Sequence, residues 1–96
     1  MLTISQIRDK VAKIGQRYGI KSAYLFGSYA KNLANDQSDI DIVIDKGNIH
    51  SFKDFYHFRT DLEAELGTNV DILTEASLRP GLRDLIKNDR ILLYTA

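Results

Sequence analysis

Apolar residues recur at steps of three and four in the first part of the chain, a pattern that predicts an amphipathic helix. The apolar positions are Ile4, Ile7, Val11, Ile14 and Tyr18. Thr3 is placed to cap the N-terminus of this helix, and Gln6, three residues later, can complete a capping box. Gly19 follows the last apolar position and is the natural C-terminal stop.

Four short apolar runs, each bounded by turn-forming residues, predict β-strands. They cover residues 23–26, 39–45, 69–74 and 91–94. The second run alternates most clearly, and successive side chains of a strand point to opposite faces. Its apolar face carries Ile40, Ile42 and Ile44, and its other face carries Asp39, Asp41 and Val43.

Further helices are predicted between these strands. A short helix and turn are expected within residues 29–35. A long helix is expected to begin at Ser51, with Asp54 at its reciprocal capping position, and to end at Gly67. The predicted buried stripe of this long helix is Phe52, Phe55, Leu62 and Leu66. A last helix is predicted from the apolar residues Leu78, Leu82, Leu85 and Ile86, with Pro80 in its first turn. Helices alternating with strands predict an α/β fold, here as one domain over residues 1–96.

Composition narrows the class of protein. The 96 residues contain 13 basic and 13 acidic side chains, a balance that argues against a strongly basic surface for binding nucleic acid. The absence of cysteine excludes disulfides and thiolate chemistry. No apolar run approaches the ~18 residues of a membrane span, and the first residues do not resemble a signal peptide. We therefore expect a soluble cytoplasmic protein with no membrane partner.

Asp39 and Asp41 are the clearest candidates for chemistry. They lie two residues apart on the polar face of one strand, so their carboxylates are close and repel each other unless a cation intervenes. A hard divalent ion such as Mg²⁺ takes oxygen ligands and relieves this repulsion. Asp71, on another apolar strand, completes a three-carboxylate cluster if the two strands are neighbours.

Gly27 and Ser28 lie where the first strand meets the following helix. Free backbone N–H groups at such a turn favour phosphate, glycine permits close approach, and the serine hydroxyl can donate to a phosphate oxygen. Lys31 can add a positive charge. A phosphate-binding turn beside metal-binding carboxylates indicates metal-assisted attack on phosphorus.

Gly27-Ser28, ten residues and Asp39-Ile40-Asp41 form a pattern that resembles the G-S-x10-D-x-D signature of the DNA polymerase β-like nucleotidyltransferase superfamily. The resemblance to its minimal nucleotidyltransferases covers nearly the whole chain. It implies a mixed sheet of about four strands and transfer of a nucleoside monophosphate from a triphosphate to a hydroxyl, with two Mg²⁺. It also implies that Gly27, Ser28 and Lys31 contact the triphosphate. Asp39, Asp41 and Asp71 would bind metal, and Asp71 would also help deprotonate the acceptor.

Family members this short resemble the antitoxins that are paired with HEPN-domain ribonuclease toxins. That resemblance implies transfer of AMP from ATP to a tyrosine of the toxin. The chain departs from many members in one place, since Lys31-Asn32 stands where they have Arg-Gly. Lysine keeps the charge but loses the bidentate fork of arginine.

Other interpretations remain open at this point. The chain could neutralise a toxin by stoichiometric binding, or transfer a nucleotide to a small alcohol or an RNA end. The aspartates could form a solvated strand face, and Gly27-Ser28 could be a plain turn. Arg79 and Arg83, at the start of the last helix, fit contact with phosphate or a partner as well as a solvated surface.

Overall fold

The computed structural model describes residues 1–96, and the predicted order of helices and strands is confirmed. The helices are α1 (Ile4–Tyr18), α2 (Gly27–Ala30), α3 (Phe52–Leu66) and α4 (Pro80–Lys87). The strands are β1 (Ser22–Phe26), β2 (Ile40–Asp45), β3 (Val70–Thr74) and β4 (Ile91–Thr95), and a 3-10 turn, Glu75–Ser77, joins β3 to α4. None of the helices combines the length and apolar character needed to cross a membrane.

The four strands form one mixed sheet in the order β3-β2-β1-β4. β1 is antiparallel to both β2 and β4, whereas β2 and β3 are parallel. Parallel neighbours require a crossover connection, and α3 provides it. The α/β fold and the mixed sheet of four strands are therefore as predicted.

The main core lies between one face of the sheet and the helices α1 and α3. The isoleucines of β2 at positions 40, 42 and 44 are fully buried there, as their alternation predicted. The capping of α1 also matches its prediction. The Gln6 N–H donates to Thr3 Oγ1 at 3.1 Å, and the Thr3 N–H donates to Gln6 Oε1 at 2.9 Å. Gly19 ends the helix in the left-handed conformation.

Two predicted buried stripes were partly wrong. In α3, Phe52 is 95% exposed and Phe55 only half-buried, because the helix packs on the sheet further along, through Phe58, Leu62 and Leu66. In the last helix, Leu82 and Leu85 are exposed, while Ile86 is buried against Val43. The second face of the sheet is covered by this eight-residue helix and by Leu78, which is buried but lies before the helix begins.

Candidate functional site

Asp41 and Asp71 lie side by side on neighbouring strands. In the parallel register of β2 and β3, Asp41 is directly opposite Asp71. Partners in register project to the same face of a sheet, so the two carboxyl groups lie close enough to share a hydrogen bond when one of them is protonated. β2 and β3 are therefore neighbours, as the clustering of Asp41 with Asp71 requires.

The pKa of Asp41 is raised to about 6. Burial is the main cause, followed by the negative charge of Asp71, the hydrogen bond to Asp71 and the charge of Asp39. Neither Asp41 nor Asp71 forms an ion pair with a lysine or arginine. The site thus concentrates negative charge on oxygen donors, a donor set that suits Mg²⁺.

Asp39 does not complete a three-carboxylate cluster. It is the residue before β2, it is exposed, and the strand ladder does not fix its backbone. No three acidic or histidine side chains of the chain are grouped closely enough to hold a metal ion together. The predicted cluster is therefore an Asp41–Asp71 pair, with Asp39 near enough to raise the pKa of Asp41 by its charge.

Gly27 lies against the carboxylate of Asp41. The last residue of β1, Phe26, is paired with Asp41 in the antiparallel ladder, so the next residue of the chain falls beside that aspartate. Gly27 has a φ of 72°, and a Cβ there would overlap Asp41 Oδ2. Glycine is required for both reasons. The pairing of β1 with β2 thus brings the Gly27 turn beside Asp41, although the two residues are well separated in the sequence.

The helix after β1 differs from its prediction. It begins at Gly27 itself and ends at Ala30, instead of lying within residues 29–35. Ser28 is half-buried in this turn, and its carbonyl accepts the Leu33 N–H at 2.8 Å. The Lys31 side chain is exposed just after the helix, while its N–H donates to the Gly27 carbonyl at 3.1 Å.

Asn32 adopts a left-handed conformation, with a φ of 59°. It is the only non-glycine residue of the chain with a positive φ. Asparagine tolerates this region better than other non-glycine residues. The chain therefore forms at this position the left-handed turn that glycine adopts easily, although the residue is asparagine.

Asn32→Val should reduce the free energy of unfolding by about 1–2 kcal/mol, because a β-branched residue is strained at this φ. Asn32→Gly should leave it within about 0.5 kcal/mol of the wild-type value. Urea unfolding measures both. Asn88→Val is the matched control, since exposed Asn88 has an ordinary φ of −78°. Equal losses from the two valine variants would contradict the assignment of strain to position 32.

A cleft of about 370 Å³ opens beside the aspartate pair. Its walls are Phe26, Phe55, Arg59, Ile72 and Leu73, together with Asp41 and Asp71. Arg59 was not predicted to line a site, and Phe55 was predicted to lie in the core. Their spacing of four residues, which puts both on one face of α3, was the available signal.

The family described as polymerase beta, nucleotidyltransferase matches residues 9–96. The chain belongs to this nucleotidyltransferase family. The match includes the Gly27 turn and the two later strands that carry Asp41 and Asp71, so the family resemblance is confirmed over nearly the whole chain.

Relatives within the nucleotidyltransferase family have similar lengths. A Methanocaldococcus jannaschii protein named as a candidate protein adenylyltransferase is 39% identical over 90 residues, 94% of this chain and 97% of that protein. The protein adenylyltransferase MntA of Thermococcus cleftensis is 34% identical over 86 residues, 85% of this chain and 87% of that protein.

The fold also matches a chain in the solved complex of a tri-AMPylated Shewanella oneidensis HEPN toxin with MNT antitoxin. The TM-score is 0.73 at 20% identity, covering 98% of this chain and 74% of that one. At this identity the match shows a shared fold.

Proposed function

We propose that this nucleotidyltransferase transfers AMP from ATP to a hydroxyl of a HEPN-type toxin and acts as its antitoxin. The observation that carries the proposal is the Asp41–Asp71 pair facing the Gly27 turn. This arrangement puts two carboxylates next to a backbone turn that can approach a phosphate closely. The names of the relatives, protein adenylyltransferases, support the choice of AMP and of a protein acceptor.

The oxygen donors of Asp41 and Asp71 would hold Mg²⁺, and Asp39, whose charge reaches Asp41, would turn toward them to add further donors. The family resemblance implies two ions. When bound, Mg²⁺ supplies positive charge that neutralises the phosphates. Gly27 and Ser28 would contact the triphosphate, with Lys31 adding a positive charge. Asp71 is the exposed member of the pair and can accept the proton of the acceptor hydroxyl. The hydroxyl oxygen then bonds to the α-phosphorus, the bond to pyrophosphate breaks, and pyrophosphate leaves with the electron pair.

The surroundings of the cleft suit a protein acceptor. Phe55 is one of its walls, and two exposed aromatic residues, Phe52 and Tyr56, lie on the same side of α3. Phe52 is 95% exposed and Tyr56 is 64% exposed. Exposed aromatic residues that extend from a site are typical of surfaces that bind other proteins. The apolar walls of the cleft can also contact the ring of a tyrosine.

The direct test is incubation of the protein with ATP, Mg²⁺ and the HEPN-type toxin encoded beside it, followed by mass spectrometry of the toxin. We expect the toxin to gain whole AMP groups on one or more tyrosines and to lose ribonuclease activity. Omission of Mg²⁺ should prevent both changes. A toxin that keeps its mass under all divalent metal conditions would contradict the proposal.

Stoichiometric binding is the second candidate function, because the exposed aromatic face of α3 can hold a partner without chemistry. A double variant, Asp39→Asn with Asp41→Asn, separates the two functions. Under the adenylylation proposal it loses the ability to neutralise the toxin at catalytic dose. Neutralisation that needs one variant molecule per toxin molecule, with no change in toxin mass, would instead support binding.

A further inference from the structure

The largest groove of the protein lies away from the aspartate pair. It has a volume of about 690 Å³ and adjoins the end of β2 at Asp45, whereas Asp41 lies near the beginning of that strand. Four residues of strand separate the two positions by about 13 Å. The walls of the groove come from the loop after β2, the 3-10 turn and α4. None of its lining residues belongs to the cleft beside Asp41 and Asp71.

Positive side chains dominate this groove. Lys46, Arg83, Lys87 and Arg90 line it, against two carboxylates, those of Asp45 and Glu75. Lys46, Arg83 and Lys87 form no ion pair with any carboxylate of the chain. The whole chain has a formal net charge of +0, so the excess positive charge here is local. Unpaired like charges around one concave surface attract a multivalent anion.

Glu75 orients two of the arginine side chains from the first residue of the 3-10 turn. Its backbone carbonyl accepts a hydrogen bond from Arg83 Nη2 at 3.0 Å, and its carboxylate accepts one from Arg90 Nη1 at 3.0 Å. Arg90 also lies over the ring of Tyr24, with its Cζ 4.0 Å from the ring centroid. Each guanidinium has five N–H donors, so most donors remain free for a ligand. Groups held in place before binding lose less entropy when a ligand arrives.

We propose that this groove is a second binding site, one that takes a chain of phosphate groups. Guanidinium groups match phosphate oxygens in a bidentate manner, and lysines on the walls add point charges. The charges surround one compact concavity, which fits a small polyphosphate better than an extended acidic peptide. Four cationic side chains line the groove and its only aromatic ring is that of His50, so we assign recognition to the phosphates. The phosphate chain can belong to an inorganic polyphosphate or to a nucleotide.

Titration of the ¹⁵N-labelled protein with inorganic triphosphate, in metal-free buffer, tests this site by NMR. We expect saturable shifts of the amides of Gly47, Glu75 and Lys87, weakened by added salt. Arg83→Gln combined with Lys87→Gln should weaken binding about tenfold or more. The matched control is Arg8→Gln combined with Lys53→Gln, which removes the same charge from exposed residues of α1 and α3 that lie outside the groove and form no ion pair. It should change the affinity less than twofold.

A parallel titration with ATP distinguishes the two sources of the phosphate chain. Equal affinities for ATP and triphosphate assign recognition to the phosphates alone, as proposed. Several outcomes would overturn the second site: shifts confined to Gly27 and Ser28, equal weakening by the two pairs of substitutions, or tighter binding of a polyglutamate peptide than of triphosphate. The test is independent of AMP transfer, because neither its probes nor its variants involve Asp41 or Asp71.

Discussion

Asp41→Asn should abolish AMP transfer and, at the same time, make the metal-free protein more stable. Loss of this carboxylate removes an oxygen donor and half of the pair opposite β3, so we expect transfer to fall by at least ~10³-fold. Stability should rise because the carboxylate of Asp41 is ionised at neutral pH against burial and the charges of Asp71 and Asp39. Asparagine has a similar size and can still hydrogen-bond to Asp71, but it carries no charge.

The pH dependence of stability follows from the raised pKa of Asp41. Between its ordinary value of 3.8 and about 6, the folded state holds a proton that the unfolded state has released. The free energy of unfolding contributed by this group therefore falls as pH rises through that window and stays low above it. Because the side chain is partly exposed, solvent screening reduces the effect to about 1 kcal/mol. The variant should lack this fall and exceed the wild type above pH 6.

Urea unfolding in EDTA at pH 4, 5, 6 and 7 measures the stability difference, and incorporation of labelled AMP measures transfer. Asp45→Asn is the matched control, since Asp45 is on the same face of β2 but its carboxylate accepts only the Gly47 N–H, at 3.4 Å. It should keep full transfer activity. Mg²⁺ should stabilise the wild type more than Asp41→Asn. A variant that is active, or one that is less stable than wild type at pH 7, would contradict the role given to Asp41.

Local structure was largely predictable from the sequence because its causes lie within a few residues. Thr3 and Gln6 satisfy the first N–H groups of α1 whatever the rest of the chain does, and Gly19 ends that helix for a reason of backbone geometry. The alternation along β2 likewise fixed which side chains share a face. Asp45, at the end of that strand, accepts the Gly47 N–H, a local contact typical of a turn.

Pairing between distant segments was less predictable. From the sequence alone, Asp71 can lie close to Asp39 and Asp41 only if its strand is next to theirs. Whether the two strands are neighbours, and in which register, depends on how the whole sheet pairs. The exposure of Phe52 and Leu85 could not be predicted for a similar reason. The spacing of apolar residues identifies one face of a helix but does not show how much of that face another element covers. Arg59 was not predicted because a charged residue on a helix usually lies on a solvent-exposed face. Only the structure shows that it lines the cleft together with Asp41 and Asp71.

Gly27→Ala should reduce AMP transfer by at least ~100-fold, the second large effect that we expect. The added Cβ would overlap Asp41 Oδ2, and the paired backbones of β1 and β2 hold the two residues together, so the carboxylate must leave its present position beside Asp71. A displacement of about 1 Å in a catalytic group is enough to cause a loss of this size. The substitution also strains the backbone, because alanine is disfavoured at a φ of 72°.

Two other glycines separate the overlap from the strain. Gly67 has nearly the same φ, 70°, but nothing lies within 4 Å of the position that a Cβ would take. Gly67→Ala should therefore cost about 1 kcal/mol of stability, from strain alone, and leave transfer unchanged. Gly81 lies inside α4 with open space around it, so Gly81→Ala should raise the free energy of unfolding by about 0.5–1 kcal/mol. Transfer rates measured with each variant fully folded decide the matter. If Gly27→Ala and Gly67→Ala transfer AMP equally well, contact between Gly27 and the Asp41 carboxylate does not govern the reaction.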